Sequence, residues 1–342
     1  MKLKVFYSYA REDKTLRAGL EKHLSMLKRL GLITDWHDRD IKAGSAWEQE
    51  IDNNLNTADI VLLLISPDFV SSEYRYSKEM VAALNRHNDG LARVIPIILR
   101  PGVYDGLPFS ALQSLPSNGI PIRDRKWHTR DEAFSNVAQG IRQVVNELLC
   151  KLLLEEAEIY LYREQYETAL EMYEKAISLD PDNPLAYVGE GNSRLKLASA
   201  PLFVRPCYNY EKALQAFKKA ITLDASIAQA YAGKGRALFG LYTNVSKIDA
   251  SKSEIENAYG KAIELDPQTD IFYMYSAEMY IHFDAPESAL TAYEKAIEIA
   301  VFPDPGAYEA MGDVFFYHFD DYEKALVNYD EEGFSLPQAT LF

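Results

Sequence analysis

The chain has 342 residues, 48% of them apolar, and a formal net charge of -15, so a globular protein longer than one ordinary domain is expected. The charge is uneven: residues 1–145 hold 20 Lys and Arg against 18 Asp and Glu, residues 146–342 hold 16 against 33. So acidic a second half repels nucleic acid and excludes it as a partner. The only two cysteines, Cys150 and Cys207, lie in no motif, which excludes a disulfide scaffold and a cysteine zinc site and fits a reducing cytosol. The N-terminus lacks the apolar core of a signal peptide and no run reaches spanning length, so a cytoplasmic protein off the membrane is expected.

Leu3 to Tyr9 is a strand by composition, and Asp13 reads as the N-cap of a helix whose Leu16, Leu20, Leu24, Leu27 and Leu30 recur at helical spacing up to Gly31. Leu32 to Trp36 is a second strand, and Asp38 to Ser45 a polar loop. Trp47, Ile51 and Leu55 mark a helix of about two turns. Ile60-Val-Leu-Leu-Leu-Ile65 is almost purely apolar, the pattern of a strand buried on both faces of a parallel sheet. Ser66-Pro67 stops it, and Ser71 to His87 reads as the next helix. Val94 to Leu99 and Gly119 to Ile122 read as fourth and fifth strands. Strands alternating with helices predict a flavodoxin-like α/β fold, a five-stranded parallel sheet covered on both faces, over residues 1–145.

A polar residue just beyond the carboxyl end of a buried strand sits where open α/β sheets bind ligands. Glu79 is placed there, beside Tyr74, Arg75 and Tyr76. Two readings stay open at this level: a site carboxylate, or a solvated helix glutamate paired with a nearby cation.

These residues resemble a family. Val5-Phe-Tyr-Ser-Tyr-Ala-Arg-Glu-Asp13 is similar to the first box of Toll/interleukin-1 receptor (TIR) domains, Arg39-Asp-Ile-Lys-Ala-Gly44 to their BB loop, and Ile65-Ser-Pro-Asp-Phe-Val-Ser-Ser72 to the segment after their third strand. Many bacterial and plant TIR domains, and the animal axon-degeneration enzyme, cleave NAD+ at the nicotinamide–ribose bond through a glutamate in the helix after the third strand. The matching residue is Glu79. The resemblance implies NAD+ as substrate, with no separate cofactor and no metal. It implies that Ser8, Tyr9 and Arg11 line the pocket, with Ile41 and Gly44 in the BB loop, Trp47 at the floor behind that loop and Trp127 at one edge. Core packing is the competing reading for Tyr9 and Trp47, and a surface charge that for Arg11. Many catalytic members carry Trp four residues before the glutamate; here that position is Arg75, which leaves Tyr74 or Tyr76 as the stacking face.

From Asp131 to about Glu164 there is no Pro and one Gly, so one long helix is expected to lead into the second domain, residues 146–342. There the chain repeats itself: Tyr166-Glu-Thr-Ala-Leu-Glu-Met-Tyr-Glu-Lys-Ala-Ile recurs with variations from Tyr210, Ile255, Pro286 and Tyr322. This is similar to the tetratricopeptide repeat (TPR), an all-α solenoid. Ala169, Ala213, Ala289 and Ala325 let paired helices approach, while Tyr173, Phe217, Tyr259 and Tyr293 fill the space between repeats. Two extra stretches of about ten residues, near 199–209 and 241–250, map to loops. Such arrays bind peptides or proteins in a groove.

Two functions follow. One is an NAD+ glycohydrolase, with cyclisation as a second outcome of the same cleavage, in bacterial defence or signalling and regulated through its repeats. The other is a non-catalytic adaptor that assembles through the BB loop. Both imply self-association of TIR domains and a protein or peptide partner in the TPR groove. The six His, none at ligand or triad spacing with a Cys, Asp or second His, carry no competing chemistry.

Overall fold

The computed structural model describes residues 1–36, 47–72, 78–199, 206–244, 251–302 and 304–331. It divides into two compact units, Met1–Leu152 and Leu153–Phe342.

The first unit opens with β1 (Leu3–Tyr9), a tight turn at Arg11–Asp13, α1 (Lys14–His23) and α2 (Ser25–Arg29). The leucine-rich helix expected there is divided at Leu24, which lies at φ -86° and ψ -2° between α1 and α2. Next come β2 (Ile33–Trp36), α3 (Trp47–Thr57), β3 (Ile60–Ile65), α4 (Pro67–Ser71), α5 (Met80–Asn88), β4 (Arg93–Ile98) and α6 (Arg130–Tyr162). The expectation of one helix from Ser71 needs correction. Ser66 caps α4, its hydroxyl accepting from the Phe69 N–H at 3.1 Å, and Ser72 is already extended. Lys78 and Glu79 form a wide π-type turn that leads into α5.

The sheet is parallel, in the order β2-β1-β3-β4. It has four strands among the described residues, not five. Residues 119–122 run beside β4 but contribute only the Ile122 N–H to Ile98 O bond at 2.9 Å, continued by Arg123 to Leu99. Leu115 bridges Ile97 separately. Pro116 and Pro121 have no N–H to donate, so neither piece propagates a ladder. Pro96 is tolerated in β4 because that strand is an edge, and its carbonyl accepts from Leu115 at 2.8 Å.

All six residues of β3 are fully buried, as its sequence predicts. On one face Phe6, Val61, Leu63, Ile65 and Val94 pack with Ile51 and Leu55 of α3 and with Met80 and Ala83 of α5. The alternate residues Val5, Tyr7, Ile60, Leu62 and Leu64 are buried on the other. α1 and α6 meet where the His23 and Phe134 rings lie 5.3 Å apart.

In the second unit α7 (Tyr166–Leu179) packs on residues of α6: Ala157 and Leu154 meet Ala169 and Tyr173. Then follow α8 (Pro184–Ser199), α9 (Pro206–Leu223), α10 (Ala228–Asn244), α11 (Lys252–Leu265), α12 (Asp270–His282), α13 (Pro286–Ile299), α14 (Pro305–His318) and α15 (Tyr322–Glu331). Each second helix inserts one aromatic against small residues of the first helices. Phe217 of α9 is closed in between Gly191 of α8 and Gly233 of α10, where any Cβ would come within 2.6 and 2.2 Å of the ring. Tyr259 and Tyr329 sit against Gly235 and Gly312 in the same manner. Three of the turns joining paired helices place an acid in the left-handed region: Glu164 at φ 59°, Asp284 at 53° and Asp320 at 51°.

Candidate functional site

The sheet order reverses between β1 and β3, the strands that run outward from the same point in opposite lateral directions. The crevice beyond their carboxyl ends is where such sheets take ligands. Ser8, near the end of β1, pairs with Leu63 and shares a face with Phe6. Its hydroxyl donates to the Glu79 carboxylate, and both are buried, at 1% and 4% exposure. Glu79 is therefore buried rather than solvated: it is enclosed by its unit, and the π-type turn before α5 sets it over the β1 end.

The pleat sends Tyr9 to the opposite face from Ser8. There its ring lies 5.2 Å from the guanidinium carbon of Arg17, a side chain only 1% exposed that pairs with Glu21 at 3.2 Å. Tyr7, on the same face as Tyr9, has its hydroxyl pushed up by burial and by the nearby Asp35 and Glu21 carboxylates, and that hydroxyl has no hydrogen-bond partner among the described residues. Arg11 is exposed in the turn after β1. Trp127 is half-buried, its Nε1 donating to Pro121 O at 2.9 Å, which fixes it to the segment beside β4. Trp47 begins α3. Of the expected pocket residues, Ser8 and Glu79 are joined directly by a hydrogen bond. Ile41, Gly44, Tyr74 and Arg75 lie outside the described residues.

A second polar group occupies the same strand ends. The Asp13 carboxylate is 2% exposed and accepts from the fully buried Ser66 hydroxyl. Arg100, just past β4, brings its Nε to 2.9 Å from Asp13 Oδ1, and its Nη2 pairs with Asp68. Desolvation pulls the Arg100 guanidinium down, and the bonds to Asp68 and Asp13 more than offset it, leaving a pKa above the ordinary arginine value. Asp13 occupies the expected N-cap position of α1 yet makes no cap hydrogen bond with its side chain. Sequence reading missed this group because an Asp before a leucine-periodic run is the ordinary mark of a cap, while its true partners lie 53 and 87 residues away. A cleft of about 420 Å³ lies among the segments that follow β4, lined among others by Ile98, Tyr104, Phe109, Ser114 and Pro121.

A family model described as "TIR domain" matches residues 5–136 and one described as "TPR repeat" matches residues 157–197. Residues 5–136 are a TIR domain, followed by a tetratricopeptide repeat at residues 157–197. The chain is 50% identical over 139 residues to the uncharacterized protein y4lF of Sinorhizobium fredii, a match that spans 41% of this chain and 42% of that one. The TPR portion is similar to a thermophilic TPR protein of Thermus thermophilus, at 17% identity and a TM-score of 0.45 over 56% of this chain and 93% of that one. It is similar also to MamA from Desulfovibrio magneticus RS-1, at 17% identity and a TM-score of 0.42 over 54% and 93%. Among the described residues of the TIR–TPR chain no helix is long and apolar enough to cross a membrane.

Proposed function

We propose that the TIR domain cleaves NAD+ at the nicotinamide–ribose bond, with Glu79 as the catalytic carboxylate. The observation that carries this reading is the buried Ser8–Glu79 pair at the point where the sheet order reverses. The chemistry suits one carboxylate. Nicotinamide leaves a cationic pyridinium as a neutral molecule, so no general acid is required. A carboxylate accepting from the ribose hydroxyls stabilises the positive charge that develops at the anomeric carbon, as in glycoside cleavage. Ser8 holds that carboxylate in one rotamer, and the low-dielectric surroundings strengthen its interaction with the developing cation. Water then completes hydrolysis, or an internal nitrogen of the adenine closes a cyclic product. NAD+ is the substrate, with no further cofactor in the reaction.

In this reading TIR domains self-associate, the repeats take a protein or peptide partner that regulates them, and the protein serves defence or signalling in the cytoplasm. The alternative is a scaffold without turnover, which Arg75 favours by standing where many catalytic members carry Trp. One assay separates the two. Full-length protein at high concentration is incubated with NAD+ and the products are resolved by chromatography. Wild type should release nicotinamide, and Glu79→Gln, which keeps side-chain size, should lose about a thousandfold in rate, the scale of removing one electrostatic stabiliser. Equal turnover in the Gln variant removes Glu79 from the mechanism, and no turnover in wild type leaves the scaffold.

A further inference from the structure

Asp13, Ser66, Asp68 and Arg100 are absorbed by neither the Glu79 chemistry nor the repeats. They tie three strand ends together. Asp13 closes the turn after β1, its N–H bonded to Ala10 O at 2.9 Å. Ser66 is the first residue past β3 and spends its hydroxyl twice, donating to Asp13 and accepting from the Phe69 N–H. Arg100 follows Leu99, whose N–H reaches Ile65 O at 2.9 Å and so extends the β3–β4 ladder to the residue before it. The Tyr104 hydroxyl donates to Arg100 O at 2.8 Å and holds that backbone from the far side.

Burying a carboxylate–guanidinium pair gains little net stability, because the desolvation of both groups offsets their attraction. An apolar contact at the same place would serve the fold as well. What the pair adds is direction: the Arg100 guanidinium set on the buried Asp13 carboxylate, which also accepts the Ser66 hydroxyl, fixes the turn in a single register. That turn begins three residues after Ser8, just past the end of β1, so its register is also the register of the hydroxyl on Glu79.

We propose that Asp13, Ser66 and Arg100 are positioning residues of the Glu79 site, holding the end of β1 so that Ser8 orients the catalytic carboxylate. This rests on reading the TIR domain as an NAD+-cleaving enzyme. Asp68 pairs with the same guanidinium from the outside, where it is 40% exposed, and lies outside the proposed set, which makes it the control.

The test uses the full chain with Asp13→Asn, Arg100→Gln, their double variant, Arg100→Lys, Ser66→Ala and Asp68→Asn. Asp13→Asn and Arg100→Gln should each lower kcat by about tenfold to a hundredfold, the scale of a small misplacement of a reacting group. KM should stay within about threefold, because substrate contacts remain. The double variant should lose no more than the worse single one, since the two side chains act as one unit. Arg100→Lys should recover part of the loss, and Asp68→Asn should stay within about twofold of wild type. Losses that multiply in the double variant, or unchanged kcat in folded Asp13→Asn and Arg100→Gln proteins, overturn the proposal. Should a charge variant fail to fold, Ser66→Ala removes one hydrogen bond at the same carboxylate and is held to the same kcat criterion. Amide hydrogen exchange needs no turnover: exchange at residues 8–13 should quicken in Arg100→Gln while β2 keeps its protection. Unchanged exchange at 8–13 overturns the positioning role, whereas a wild type that releases no nicotinamide overturns the enzymatic reading.

Discussion

Phe217 provides a quantitative test of the repeat packing. Its ring is fully buried between Gly191 and Gly233. In Gly233→Ala the new methyl would start 2.2 Å from the ring's Cζ and 2.3 Å from Cε1, well over 1 Å too close. Gly191 closes the ring in from the other side, where an added Cβ would lie 2.6 Å from the same atom, so the ring has little room to retreat. Overpacking of this kind costs about 3 kcal/mol, the upper part of its usual range. Replacing Gly by Ala inside a helix gains about 1 kcal/mol. The net expectation is a loss of about 2 kcal/mol. Phe217→Leu alone should cost about 2 kcal/mol for the removed ring atoms and the space they leave. Leucine ends short of the glycine, so adding Gly233→Ala to Phe217→Leu should restore stability through the propensity gain instead of lowering it further. The coupling between the two sites is then about 3 kcal/mol. Urea unfolding of the full chain, followed by helical circular dichroism and compared at the midpoint, measures it. A Gly233→Ala midpoint above wild type, or simple addition in the double variant, would refute the argument that the helices approach rigidly around this ring.

Three further outcomes are expected. Glu164 holds φ 59° in the turn between α6 and α7, so Glu164→Gly should raise the unfolding free energy by up to about 1 kcal/mol and the urea midpoint with it, relief of left-handed strain exceeding the added chain entropy; a lowered midpoint would mean that its side chain contributes more than the strain. Burial pushes the Tyr293 hydroxyl up to about 12 from the ordinary 10, with help from the Glu278 and Asp313 carboxylates, and raises Tyr173 and Tyr259 further. Their contribution is whole below pH 10 and is lost as the pH rises above it, because only the unfolded chain ionises there, so urea midpoints should fall from about pH 10 upward, and pH-independent midpoints would contradict the burial. If TIR domains associate to act, specific activity should rise with enzyme concentration, and added salt should promote association by screening the acidic repeats; constant specific activity from a strictly monomeric species would exclude assembly.

How much of this was legible in the residues differs by element. β3 announced itself, since six consecutive apolar residues bounded by Asp59 and Ser66 admit no other role in an alternating α/β pattern. The repeats were equally plain, because each copy restates the same small and aromatic positions, and the structure packs those residues together. Periodicity is a local property, so a chain written in it can be read without coordinates. A fifth strand was not decided locally: Gly119 to Ile122 has strand composition, but Pro121 denies it a donor, and it meets β4 only at its end, through Ile122. The resemblance pointed to Glu79, yet its burial was set by the tertiary fold. Residues 8 and 79 meet only because β1 and β3 are neighbours and a wide turn opens α5. Tyr9 and Ser8 stood together in the sequence and were separated by the pleat. Asp13, Ser66 and Arg100 carried no common signal, being a cap-like acid, a strand-ending serine and a loop arginine. Hydrogen bonds over 53 and 87 residues depend on which strands pair, and that pairing is a property of the folded sheet.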